Sequence, residues 1–173
     1  LLWIPRIGAA AMAAALSLLL QPIHAQGSPD DLLSRFEHDP NPIHRAKLLP
    51  KLGDTEFAAV RKDVADGDVT AAVQVLQKYH DQARSCLDGL DGQNTDAEKH
   101  PSGFKELEYS LRETLRRLDN LMGSLTRDEQ DEFSALHKDL DEMNKHVIHE
   151  LFPRQADPSA PPPAKPQSRE PAR

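Results

Sequence analysis

The sequence predicts an all-α protein: an antiparallel helical bundle of three long helices, with two or three short N-terminal helices and a disordered Pro-rich C-terminal tail. Three observations predict it. From Val69 to Leu151 the apolar residues recur three and four positions apart, the spacing of one helix face. No segment alternates with period two, and runs of β-branched residues are absent. Capping and stop residues stand at the ends of the periodic runs.

The first element is "SPDDLLSRFEHD", with Ser28 as N-cap, Pro29 at the first helical position and Asp30 and Asp31 in the first turn. "NPIHRAKLLPKLGD" starts a second short helix at Asn41 that Pro50 to Gly53 should end. In "DTEFAAVRKDVADGD", Phe57, Val60 and Val64 share a face and Gly67 supplies the stop. The first long helix runs from an Asp68 cap to Gly89 or Gly92, burying Val69, Ala72, Val73, Leu76, Tyr79, Ala83, Cys86, Leu87 and Leu90. "GQNTDAEKHPSG" is the internal loop. The second long helix carries the stripe Phe104, Leu107, Leu111, Leu115, Leu118, Met122 and Leu125. The third begins at Thr126, where Glu129 completes a capping box, and buries Phe133, Leu136, Leu140, Met143, Val147 and Leu151. The last two stripes keep a heptad-like spacing that also suits a self-associating coiled coil.

The chain divides into residues 1–25, 26–152 and 153–173. Arg6 precedes the apolar run Ile7 to Leu20, Pro22 breaks it, and Ala25 offers a small residue for cleavage. That pattern describes a secretory signal peptide. Its fourteen apolar residues would rise only about 21 Å as a helix, short of the roughly 30 Å hydrocarbon core, so no stable membrane span is expected after cleavage. The expected location is periplasmic or secreted. Residues 153–173 are rich in Pro and lack apolar periodicity, so they cannot bury enough surface to fold.

Charge and cysteine content narrow the function. The formal charge of −7 becomes −8 once Arg6 leaves with the leader. Such a chain is poorly suited to nucleic acid, whose phosphates need clustered Lys and Arg. Cys86 is the single cysteine, so packing rather than a disulfide must stabilise the fold, and Cys86 itself reads as a core residue. No Gly-rich phosphate loop, nucleophile elbow or Glu-x-x-His pair occurs. A non-enzymatic protein without a resident cofactor is the expectation.

The candidate sites lie on helix surfaces. "NKHVIHELFP" puts His146 and His149 three residues apart, with Glu142 one turn earlier. At 100° per residue these three fall within about 60° of each other, far from the apolar stripe. Two histidines so spaced, completed by Glu142 and water, make a candidate divalent-metal site. The order differs from His-Glu-x-x-His, because Glu150 follows the second histidine. An exposed helix face also lacks the outer shell that orients metal ligands. "RETLRR" holds Arg112, Arg116 and Arg117, the densest basic patch, with Glu108–Arg112 and Glu113–Arg117 pairs at i,i+4. Tyr79 and His80 flank the stripe of their helix.

"LTRDEQ", Leu125 to Gln130, resembles the Leu-Thr-x-x-Gln signature of small all-helical periplasmic chaperones and metal-stress proteins. Glu129 stands where that signature has Gln, Gln130 comes one residue late, and no second copy occurs. The resemblance covers six residues, which the capping box also explains. The leading expectation is therefore an exported, non-enzymatic helical protein that acts through a protein partner or self-association, with grooves between helices setting partner choice. The alternative is a periplasmic metal-binding or stress-chaperone-like protein that uses His146 and His149.

Overall fold

A computed structural model describes residues 29–153; the leader, the Ser28 cap and the tail beyond Pro153 lie outside the described residues. Those residues form five helices and no strand: α1 (Pro29–His38), α2 (Pro42–Ala65), α3 (Val69–Asp91), α4 (Phe104–Met122) and α5 (Arg127–Leu151). None of them is long and apolar enough to cross a membrane.

The expected starts are present as atoms. The Asn41 side chain accepts from the Ile43 N–H at 2.9 Å, and Pro42 opens α2 without wasting a donor. The Asp68 carboxylate accepts from the Ala71 N–H at 2.9 Å at the start of α3. At α5 the Glu129 carboxylate reaches back to the Thr126 N–H (2.8 Å) and hydroxyl (2.7 Å).

One expectation is corrected. Where Pro50 to Gly53 should separate two short helices, α2 continues unbroken for 24 residues, so the bundle has four long helices rather than three. Pro50 removes one backbone hydrogen bond and crowds the preceding turn, at a cost of about 3 kcal/mol. Against this, Leu49, Leu52, Phe57 and Val60 are all buried on one continuous face. Each such side chain gains roughly 1.5–3 kcal/mol on burial, so packing outweighs the break. Gly53 fits because the Tyr79 ring lies over it: a Cβ there would stand 3.0 Å from Tyr79 Cε2.

Contacts fix how the helices run. Arg45, near the start of α2, donates to Ser85 Oγ (2.8 Å) near the end of α3, so these two helices are antiparallel across the Asp66–Asp68 turn. Asp119 of α4 meets His137 of α5 at 2.8 Å, closing a second antiparallel pair. The pairs dock with α2 alongside α4 and α3 alongside α5. Gly103 approaches Ile43 while Asp54 pairs with Arg117, so α2 and α4 point the same way. Helix α1 packs on α2 through Phe36, whose ring the Arg45 guanidinium overlies at 5.9 Å.

The core is continuous and mostly aliphatic. All six apolar stripe residues of α5, and Phe104, Leu107, Leu111, Leu115 and Leu118 of α4, are buried. Val69 and Val73, at the start of α3, are half-buried, as are Met122 and Leu125. These four lie at the end of the bundle formed by the α2–α3 and α4–α5 connections.

Candidate functional site

The interior holds polar groups both on the apolar stripes and beside them. Tyr79 is fully buried, and its hydroxyl shares a 2.9 Å hydrogen bond with Ser110. Burial pushes that phenol up to about 12, so it keeps its proton at neutral pH. Cys86 is buried too, its thiol likewise pushed up to about 12 by burial, which leaves it inert as a nucleophile.

Glu56 and Gln82 face each other across α2 and α3. Gln82 Nε2 donates to Glu56 Oε1 at 3.0 Å, and Lys78 approaches the same oxygen at 3.6 Å. The remaining oxygens, Glu56 Oε2 and Gln82 Oε1, are buried acceptors without a hydrogen-bond donor. Burial raises the Glu56 carboxyl above its ordinary range, opposed by the Gln82 hydrogen bond and by Lys78. Folded Glu56 therefore holds its proton more tightly than unfolded Glu56. Its contribution is full below the ordinary carboxylate pKa and is lost as pH rises through the raised folded value. Glu56→Gln supplies an N–H donor for Gln82 Oε1 and removes the buried charge. It is expected to stabilise the protein by on the order of 1 kcal/mol at about pH 7, and by less at about pH 4. Urea unfolding at both pH values measures this. A variant weaker than the parent at neutral pH would mean that the Lys78 pairing outweighs the burial cost.

The candidate metal ligands do not converge. His146 Nε2 lies 3.0 Å from Asp91 Oδ2, so this histidine ties α5 to the end of α3. Glu142 meets Lys138 at 3.9 Å, and His149 is exposed. Among the described residues no group of three His, Cys, Asp or Glu side chains is placed to hold a metal ion. His80 is buried against the core rather than flanking it: Nδ1 meets Asp81 at 2.9 Å, and Asp139 of α5 stands 3.9 Å from Nε2.

The basic patch acquires a setting that a single helix could not show. The pairs Glu108–Arg112 (3.0 Å) and Glu113–Arg117 (2.9 Å) form as expected. Arg116 adds a two-pronged contact to Glu113, with Nε at 3.0 Å and Nη2 at 2.6 Å, and Arg117 reaches across to Asp54 of α2 at 2.7 Å. Arg116 and then Arg117 hold the Glu113 carboxyl down at about 2. Between α2 and α4 these residues wall a groove of about 670 Å³ whose floor includes Phe57 and Leu121, with Arg61 and Asn120 on its rim. A smaller hollow of about 140 Å³ continues it toward Pro50 and Tyr109.

Fixed charges and an apolar floor suit recognition better than acid–base chemistry. Glu113 has no proton to give at neutral pH, and a guanidinium cannot lose one. Reading helices singly missed Asp54, Arg61 and Asn120 as groove residues. Their spacing shows only that they are exposed; the pairing of α2 with α4 puts them opposite RETLRR. No family model, curated protein or solved structure matches the chain, so the groove's geometry and charge are what bear on its function.

Proposed function

We propose that this is an exported, non-enzymatic helical protein that works by protein–protein contact, and that the α2–α4 groove receives a segment of its partner. The groove itself carries the reading: about 670 Å³, open along the bundle side, with apolar Phe57 and Leu121 bordered by charged side chains. Recognition sites for peptides combine an apolar anchor pocket with a polar rim in this way. Helix α1 packs against the opposite edge of α2, near Gln74 and Ser85 of α3, and among the described residues makes no contact with α4. The leader pattern over 1–25 supports export, and the acidic composition disfavours polyanions as ligands.

Peptide selection tests the proposal. Peptides from a random displayed library are selected on the immobilised protein, and their binding is mapped through backbone amide shifts. The expected shifts centre on Phe57, Arg61, Asn120 and Leu121. Selected peptides that map instead to the exposed Ile148 and Phe152, or a library that yields no binder, would overturn the assignment of the groove.

A further inference from the structure

Resting on that reading of the groove, we infer that its occupant is an acidic amphipathic peptide segment, with apolar side chains on Phe57 and Leu121 and a carboxylate on Arg61 and Arg116. The first support is charge. Arg61, Arg116 and Arg117 line the groove against two carboxylates, Asp54 and Glu113. The groove thus carries a cationic surplus on a chain whose formal charge is −7.

The second support is donor supply. Each guanidinium offers five N–H groups in a planar fork. Arg116 spends Nε and Nη2 on Glu113, and Arg117 spends Nε on Glu113 and Nη2 on Asp54. Arg61, exposed on α2, makes no hydrogen bond or ion pair to a described residue. Its fork and the outer edge of Arg116 are therefore open to an incoming carboxylate, which such a fork matches in a bidentate manner.

Shape is the third support. From Pro50 to Arg61 the α2 wall is roughly 16 Å long, enough for about three helical turns of a partner. Phe57 and Leu121 set an apolar strip beside the guanidinium edge, which suits a ligand with one oily and one acidic side. Arg61 stands beside that floor, which places the carboxylate at the edge of the bound segment rather than under it.

The test uses two labelled peptides of about twelve residues, built from Leu, Ala and Glu in one case and Leu, Ala and Gln in the other. Fluorescence anisotropy with the full chain should show the Glu peptide binding at least about tenfold tighter, the loss expected for a charged hydrogen-bonded contact. Arg61→Gln and Arg116→Gln should each bring the Glu peptide down toward the Gln peptide. Lys47→Gln, on an exposed position of α2 outside the groove, should change neither. Circular dichroism checks that each variant keeps its helices, and Arg61→Lys provides a second, milder probe of the fork. Equal binding of both peptides, with amide shifts still at Phe57, would overturn the acidic occupant and leave the groove as a docking site. No binding of either peptide would count against both. A Lys47→Gln loss equal to that of Arg61→Gln would replace the specific site with diffuse attraction, and the inference would fall.

Discussion

Phe133→Ala is expected to lower the unfolding free energy by about 3–5 kcal/mol, the range for truncating a buried aromatic side chain. Phe133 is completely buried in the first third of α5. The sequence supplies only five Phe, two Tyr and one Trp, so each buried ring carries a large share of the apolar contact area. No disulfide can offset the loss, because Cys86 is the single cysteine and is free. Domains of this size have only about 5–15 kcal/mol of net stability, so the variant should approach its unfolding midpoint under conditions the parent tolerates. The neighbouring Glu132 is exposed, and Glu132→Ala should stay within about half a kcal/mol. Chemical denaturation of the two variants decides it. Similar losses would mean that the buried face of α5 is misassigned.

Gly103→Ala is expected to cost about 2–5 kcal/mol, from backbone strain of about 1–2 kcal/mol and overpacking of about 1–3 kcal/mol. Gly103 precedes α4 with φ +89°, outside the range that side-chain-bearing residues adopt readily. An added Cβ would stand 2.6 Å from Leu90 Cδ2 and 3.3 Å from Ile43 Cγ1. Leu90 is buried and has little room to retreat. The Gly103 N–H also donates to Glu106 Oε2 at 2.7 Å, so displacement there would loosen the start of α4. Gly67 provides the control. Its φ is +82°, yet an added Cβ would meet nothing within 4 Å, so Gly67→Ala should show the backbone cost alone, about 1–2 kcal/mol. Equal losses at the two glycines would show that Leu90 and Ile43 yield, and that the junction of α2, α3 and α4 is softer than its contacts imply.

Much of the local structure was legible because helices announce themselves within a single segment. Asn41 and Asp68 cap because a short polar side chain can reach orphan N–H groups within one turn, and at Thr126 the Glu129 carboxylate reaches back over the same short distance. The stripe of α5 was legible for the same reason, since spacing along one helix decides which side chains share a face. Pro50 misled because it is a local signal with a local cost. Whether α2 survives it depends on what Leu49, Leu52 and Phe57 touch, and those partners are distant in sequence.

The polar interior and the groove were hidden for a related physical reason. Gln82 and Glu56 are separated by 26 positions, and Arg117 and Asp54 by 63. Nothing in the spacing of either helix says that they meet. His146 is the sharpest case: its position on α5 marks it as exposed, but only the docking of α5 beside α3 gives it Asp91 as a partner. The helical class, the starts of α2, α3 and α5 and the inward faces could be read from the sequence, because these follow from 3.6-residue periodicity and short-range hydrogen bonding. Tertiary structure alone decided that α2 is one helix, that α2 lies beside α4, and that Arg61, Arg116 and Phe57 border one groove. Those outcomes depend on burying apolar area between segments far apart in the chain, a term that no local pattern contains.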